Sequence, residues 1–138
     1  MEPILQVRNV EKTYDNGVKA LKGVSFDVNP GEFLVVIGLS GSGKSTLLRC
    51  INHLHTPTGG EIHFKGKNIT GAKGKDLKEV RKKVAMIFQH FNLVPRLSVL
   101  DNALNGALAR TPTLASIFKQ YSDEDREKAL EYLDLVGI

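Results

Sequence analysis

The sequence is poor in the residues that mark secreted or membrane-spanning proteins. It has one cysteine, Cys50, in 138 residues, so no internal disulfide can form and a reducing compartment is expected. The longest uninterrupted apolar runs have five residues, whereas a membrane-spanning helix needs about 20. Tryptophan is absent, yet 41% of the residues are hydrophobic and 25% are charged, which is typical of a soluble globular chain and excludes a disordered or collagen-like one.

The chain also lacks a strong excess of one charge, because its formal net charge is only +4. The most basic segment, Lys73–Lys83, has six basic and two acidic residues but no aromatic side chain between them. A solvated helix face is therefore favoured over a nucleic-acid-binding surface, and no nucleic-acid partner is predicted.

Hydrophobic patterning predicts an α/β fold. Apolar and polar residues alternate in Leu5–Val7 and Val24–Val28, as in half-buried strands, and Ile62–Phe64 predicts a further short strand. Phe33–Ile37 and Val84–Phe88 are apolar at consecutive positions, which predicts strands buried on both faces of a parallel sheet.

Helices are predicted between and after these strands. One begins near Gly43, with Leu47, Leu48, Ile51 and Leu54 on its inward face. A short charged helix is expected over residues 76–83. Ser98 with Asp101, and Ser122 with Asp125, have capping-box spacing before two further helices. In the last helix we expect Leu130, Leu133 and Val136 to face inward.

The segment from Gly38 to Ser45 carries the chemistry, since it matches the pattern G-x-x-x-x-G-K-[ST]. Glycines at 38, 41 and 43 let successive backbone N–H groups turn toward phosphates, and the following helix N-terminus adds donors. Lys44 supplies a charge for the β- and γ-phosphates, and the Ser45 hydroxyl suits Mg²⁺. The alternative is a Gly/Ser-rich turn with a surface lysine, but the predicted strand before and helix after the segment favour a P-loop.

Flanking motifs extend this interpretation, because the whole sequence resembles the ATP-binding subunit of ABC transporters. The matching segments are Glu11–Tyr14, Ala20–Phe26, Gly41–Leu48, Pro57–Ile62 and Met86–Gln89. The resemblance implies a P-loop NTPase fold of the ABC type, with ATP and Mg²⁺ as cofactors. Residues 1–32 would form an antiparallel β portion, residues 33–97 the P-loop core as far as the Q-loop, and residues 98–138 the start of a helical subdomain.

The same resemblance assigns site residues. Tyr14 would stack on adenine, Lys44 and Gln89 would be catalytic, and Ser45 and Gln89 would contact Mg²⁺. The nucleotide-binding set is Tyr14, Gly38, Leu39, Ser40, Gly41, Ser42, Gly43, Lys44, Ser45 and Thr46. Taken alone, Tyr14 would be a core or turn tyrosine, and Gln89 a polar residue at a strand end.

A finer resemblance links Phe88–Val99 and Asn105–Ser122 to importers of phosphonates and related oxyanions. It implies transmembrane permease subunits and a solute-binding protein as partners. It also implies a homodimer of ATP-binding subunits, attached peripherally to the cytoplasmic face of the cell membrane.

Two motifs of that family are absent from these 138 residues: the signature of the Leu-Ser-Gly-Gly-Gln type, and the Walker B strand with its Asp-Glu pair. We therefore expect somewhat over half of a larger ATPase domain, with its C-terminal part missing. Three alternatives stay open: a fragment that binds nucleotide without hydrolysing it, an inert fragment, and a small standalone P-loop kinase.

Overall fold

The computed structural model describes residues 2–89, 92–108, 111 and 121–138. The chain divides into two compact units, Met1–Met86 and Ile87–Ile138. Within the described ranges, no helix has both the length and the apolar character needed to cross a bilayer.

An antiparallel sheet forms the first unit, with strands β1 (Leu5–Thr13), β2 (Lys19–Val28), β3 (Gly59–Phe64) and β4 (Lys67–Asn68) in the order β2-β1-β3-β4. The predicted alternation is confirmed, since Leu21 is buried and Val24, Phe26 and Val28 are half-buried between exposed neighbours. The sheet therefore has one face for a core and one for solvent.

Helix α1 (Lys44–Ile51) contributes to the core of this unit. Its side chains Leu47 and Cys50 are buried in one core cluster with residues from strands β1 to β3, from the loop after β4 and from helix α2 (Gly74–Lys83). These residues are Val7, Val10, Leu21, Ile62, Ile69 and Val80. Cys50, with none of its surface exposed, is thus a small core residue. The predicted inward face was partly wrong, because Leu48 and Leu54 are 48% and 43% exposed.

The prediction of a buried strand at Phe33–Ile37 was wrong. The structure has no strand there, and the five side chains are all exposed. The backbone of this segment makes no hydrogen bond to any other described residue. A strand that is apolar on both faces is stable only with a neighbour on each edge and cover on each face. No segment of the described chain supplies either.

This exposure predicts a difference between two identical substitutions. Ile37 is 86% exposed, whereas Ile62 in β3 is fully buried. Ile62→Val should lower the free energy of unfolding by about 0.5–1.5 kcal/mol because it leaves a cavity, whereas Ile37→Val should leave it unchanged. Urea denaturation of both variants measures this, and equal losses would mean that residues 33–37 are buried in solution.

The second predicted buried strand, Val84–Phe88, is also wrong for the same reason. The described residues there form no strand, and Ala85 and Ile87 are exposed. By contrast, the charged helix is confirmed as α2. Its solvated face is confirmed as well, since Val80 is its one buried residue.

The second unit contains helices α3 (Val99–Leu104), continued by a 3₁₀ turn at Asn105–Ala107, and α4 (Asp123–Leu135). Both predicted caps are confirmed, because the Asp101 N–H donates to Ser98 Oγ at 3.0 Å and the Asp125 N–H to Ser122 Oγ at 3.1 Å.

The two helices of this unit pack on each other. Leu104, Ala107 and Ala129 are the buried apolar residues of this unit among those that the structure describes. The predicted inward face of α4 was mostly wrong, since Leu130 and Val136 are 54% and 67% exposed. The physical reason is that this short helix pair covers only part of the apolar surface of α4.

His53, just after α1, makes the stability of the first unit depend on pH. Its Nε2 atom is buried with no partner among the described atoms, and its carbonyl accepts from Arg81 at 2.9 Å. Burial lowers the pKa of His53 below its usual range, and the charge of Arg81 lowers it further.

We therefore expect stability to be lost on acidification. The unfolded chain takes up a proton near pH 6.5, whereas the folded chain resists it. The contribution of His53 is then present above about pH 6.5 and lost as the pH falls through the folded-state pKa. His53→Asn, which tolerates the positive φ of 60°, should show a smaller fall in melting temperature between pH 7.5 and pH 5.5 than the wild type. An unchanged pH dependence would contradict the assignment.

Candidate nucleotide-binding site

The P-loop segment forms a turn that leads directly into α1. Gly41 and Gly43 have φ angles of +79° and +94°, in the left-handed region that favours glycine. Gly43 is the N-cap of α1, and its carbonyl accepts from the Leu47 N–H at 2.8 Å. The loop thus opens at the N-terminus of the helix, where unpaired N–H groups favour an anion.

The loop is fastened to β2 by a close approach of two backbones. A Cβ atom on Gly43 would lie 2.4 Å from the Ala20 carbonyl oxygen and 3.1 Å from a methyl carbon of Leu21. Only glycine allows that contact, so Gly43 has a packing role in addition to its turn geometry. The predicted support, a parallel strand before the loop, is replaced here by the antiparallel sheet.

Lys44 lies across the loop with its ammonium group on the loop carbonyls. Its Nζ donates to the carbonyl of Gly38 at 2.8 Å and to that of Leu39 at 2.7 Å. A longer contact of 3.4 Å reaches Ser42 Oγ. The charge is therefore held at the mouth of the loop, where phosphate oxygens could replace these carbonyls as acceptors.

Tyr14 lies beside helix α1, and its stacking on adenine stays a prediction. Its hydroxyl is 3.0 Å from the hydroxyl of Thr46. The His55 ring meets the Tyr14 ring edge-on, with centroids 5.7 Å apart at 89°. Lys12 Nζ lies over the same ring at 5.6 Å and donates to the Thr56 carbonyl at 2.7 Å.

Tyr14 and the loop line one cleft of about 270 Å³. Its wall comprises residues 41–46 of the loop and first helical turn, together with Tyr14, Val18, Lys19 and Ala20. The charged side chains in that wall are lysines, Lys19 and Lys44. The cleft therefore suits an anion next to an aromatic ring.

The charges around Tyr14 reinforce this electropositive character. Burial lowers the pKa of His55 below its usual range, and the charges of Arg49 and Lys12 lower it further. The histidine is therefore neutral at pH 7 and adds no charge of its own beside the tyrosine. Burial also raises the pKa of the Cys50 thiol, although Lys12 opposes that effect, so the thiol stays protonated and unreactive.

A second, larger cleft of about 480 Å³ lies along β3, β4 and α2, far in sequence from the P-loop. Its Lys67 pairs with Asp76 at 2.7 Å, so its positive charge is already neutralised. Size alone does not make it the better phosphate site. Within the described chain, the lysines that line the 270 Å³ cleft form no ion pair, and that cleft also contains the glycine turn.

The candidate protein ligands for Mg²⁺ in this part of the chain are hydroxyl groups, and the predicted one is the exposed hydroxyl of Ser45. No acidic side chain lines the cleft, and no cluster of three potential metal ligands occurs among the described residues. The donor set therefore fits an ion held mainly by phosphate oxygens and water, as Mg²⁺ usually is.

Gln89, the other predicted metal contact, is exposed at the start of the second unit. Its role in catalysis and metal binding stays a prediction. The adjacent His90 and Phe91 lie outside the described residues, as do Ala109, Arg110 and residues 112–120 from the stretch used for the finer resemblance.

The sequence interpretation missed several residues around the site. Val18, Lys19 and Ala20 line the cleft because the β1–β2 hairpin brings them beside Tyr14. Lys12 could have been found, since strand residues two apart share a face. No local signal points to His55, which is 41 positions from Tyr14 and meets it only through the fold.

Comparison with known proteins identifies a family for this chain. The profile of the ABC transporter family matches residues 21–138. A phosphonates import ATP-binding protein PhnC from Bdellovibrio bacteriovorus is 57% identical over 138 residues, covering 99% of this chain and 53% of that protein. PhnC from Lactobacillus acidophilus is 51% identical over 137 residues, covering 99% of this chain and 53% of that protein.

A solved bacterial ABC transporter cassette, determined as a dimer, superposes with a TM-score of 0.80 at 35% identity, over 94% of this chain and 56% of the cassette. The chain thus spans about half the length of the relatives it matches. Because the family profile matches residues 21–138, the chain belongs to the ABC transporter family, and its fold is a partial ABC-type P-loop fold.

Proposed function

We propose that this chain is the ATP-binding part of a subunit that energises an ABC importer for phosphonate or a related oxyanion. The observation that carries the proposal is the cleft in which a glycine turn, Lys44 and Tyr14 meet on one wall. The solute class rests on similarity to proteins named as phosphonate importers.

Each part of the cleft would hold one part of the nucleotide. Backbone N–H groups of residues 38–46 would bind the phosphates, helped by the N-terminus of α1. The Tyr14 ring would stack on the base. Lys44 would leave the carbonyls of Gly38 and Leu39 and bind the β- and γ-phosphates, where a charged hydrogen bond gains more than on a neutral carbonyl.

Hydrolysis requires more than this cleft contains. Mg²⁺, when bound with the nucleotide, would neutralise phosphate charge, with Ser45 and Gln89 as its proposed protein contacts. The family hydrolyses ATP, but no carboxylate lines this cleft to position water. We infer that the 138-residue chain binds ATP and does not turn it over.

In the longer subunit, the proposed partners are transmembrane permease subunits, a solute-binding protein and a second ATP-binding subunit. The dimeric cassette that this chain resembles supports the last of these. Such a subunit would sit peripherally on the cytoplasmic face of the cell membrane.

Thermal unfolding with and without Mg-ATP tests nucleotide binding. At 100 times the dissociation constant, a ligand that binds only the native state adds about 2.7 kcal/mol to the free energy of unfolding. We expect such a rise with Mg-ATP, and no phosphate release in the same samples. Absence of any rise would favour an inert fragment, and steady phosphate release would overturn the inference of binding without turnover.

A genetic experiment tests the solute class. Disrupting the gene that encodes this sequence should abolish growth on a phosphonate as the sole phosphorus source, while growth on inorganic phosphate continues. Unimpaired growth on phosphonate would contradict the proposed solute class without contradicting the proposed nucleotide site.

A further inference from the structure

We propose that Thr46 is a positioning residue for the base of the nucleotide, because its hydroxyl fixes the ring of Tyr14. The inference rests on the proposed binding of ATP. It gives the Thr46 side chain a different task from the phosphate binding predicted for the loop as a whole.

The first observation is the burial and bonding of the Thr46 hydroxyl. Thr46 lies in the first turn of α1 and is only 9% exposed. A buried hydroxyl needs a partner, and within the described chain the partner is the Tyr14 hydroxyl at 3.0 Å. A helical threonine often bonds instead to the carbonyl four residues back. Thr46 is directed at the tyrosine.

The second observation is how the rest of the Tyr14 ring is held. His55 contacts the ring edge-on, and Lys12 lies over one face. A base that stacks on the face under Lys12 would have to displace that side chain. The bond to Thr46 holds the hydroxyl end of the ring, so together these contacts restrict both its position and its tilt before a ligand arrives.

A fixed ring costs less to order on binding than a mobile one. Removing the Thr46 hydroxyl should therefore weaken ligands that carry a base. It should not affect a ligand made only of phosphates, because the loop N–H groups and Lys44 remain unchanged. This difference separates positioning of Tyr14 from direct phosphate binding and from a purely structural role.

The experiment compares Mg-ATP with Mg-bound inorganic triphosphate, by calorimetry, on the 138-residue chain. The variants are Thr46→Val, which keeps the shape and loses the hydroxyl, Thr46→Ser, which keeps the hydroxyl, and Tyr14→Phe. Thr46→Val and Tyr14→Phe should each weaken Mg-ATP about 3- to 10-fold, as for loss of one hydrogen bond. In both variants the affinity for triphosphate should stay within about 2-fold of the wild-type value. The affinity of Thr46→Ser for Mg-ATP should also stay within about 2-fold of the wild-type value, because the hydroxyl is kept.

The double variant completes the test. If the two hydroxyls act through one bond, Tyr14→Phe combined with Thr46→Val should weaken ATP no more than the worse single variant. Equal losses for ATP and triphosphate, multiplied losses in the double variant, or no loss in Thr46→Val would each overturn the inference. If the wild type binds neither ligand, the proposed function itself fails; if it binds ATP and the variants do not discriminate, only the role of Thr46 fails.

Discussion

Replacing Lys44 with alanine is expected to weaken Mg-ATP binding by about 100-fold, the loss that removal of two charge-assisted hydrogen bonds to phosphate would cause. At a nucleotide concentration that adds about 2.7 kcal/mol to the wild type, the variant should then gain only about 0.4 kcal/mol. Thermal unfolding with and without Mg-ATP measures both values.

The stability of the nucleotide-free chain should change little in this variant. Lys44 holds the carbonyls of Gly38 and Leu39, but these lie on an exposed loop, where water replaces the ammonium group. A large loss of stability without nucleotide would show that Lys44 serves mainly to hold the loop together.

Lys19 provides the matched control, because it lines the same cleft and carries the same charge. Unlike Lys44 Nζ, its ammonium makes no hydrogen bond to a loop carbonyl within the described chain. Lys19→Ala should weaken Mg-ATP by less than about 3-fold, since only a solvent-screened charge is removed. Comparable losses for the two lysines would mean that charge alone, without the P-loop geometry, binds the phosphates.

Gly43→Ala is expected to lower the free energy of unfolding by about 2–5 kcal/mol, through the combined costs of backbone strain and overpacking. The φ angle of +94° disfavours any residue with a side chain, and the new Cβ would lie 2.4 Å from the Ala20 carbonyl oxygen. Relief of that clash requires the loop to move away from β2. The nucleotide-induced rise in stability should then be lost as well.

The Gly41→Ala variant separates the cost of backbone strain from the cost of the steric clash at Gly43. The φ of Gly41, +79°, is also in the left-handed region, but a Cβ there would meet nothing within 4 Å. The cost should therefore be only about 1–2 kcal/mol, from the backbone alone. Urea denaturation of both variants gives the comparison, and equal losses would contradict the close approach of Gly43 to β2.

Much of the local structure in both units could be predicted from short-range patterns. Period-2 alternation is enough to predict β1 and β2, because one face of an antiparallel sheet stays in water. The caps at Ser98 and Ser122 follow from a short-range bond between residue types three positions apart. The P-loop was recognisable for the same reason, since its turn needs glycine at set positions.

The failures share one cause. Phe33–Ile37 reads as a buried strand because its composition is that of a parallel-sheet interior, yet in this chain it is exposed. Burial of such a segment depends on distant neighbours, which no local pattern contains. The same holds for Leu130 and Val136 in α4, whose helical periodicity predicts an inward face that the short second unit does not fully cover.

By itself, the sequence determined the family and predicted a phosphate-bearing ligand, because glycine spacing, a lysine and a hydroxyl residue are local requirements of phosphate binding. Only the tertiary structure decided how the loop is supported: Gly43 packs on Ala20, and the hydroxyls of Thr46 and Tyr14 bond across 32 positions. It also decided that Lys12 and His55 surround the tyrosine. Such contacts join residues far apart in sequence, and their energies depend on distances that only the folded chain defines.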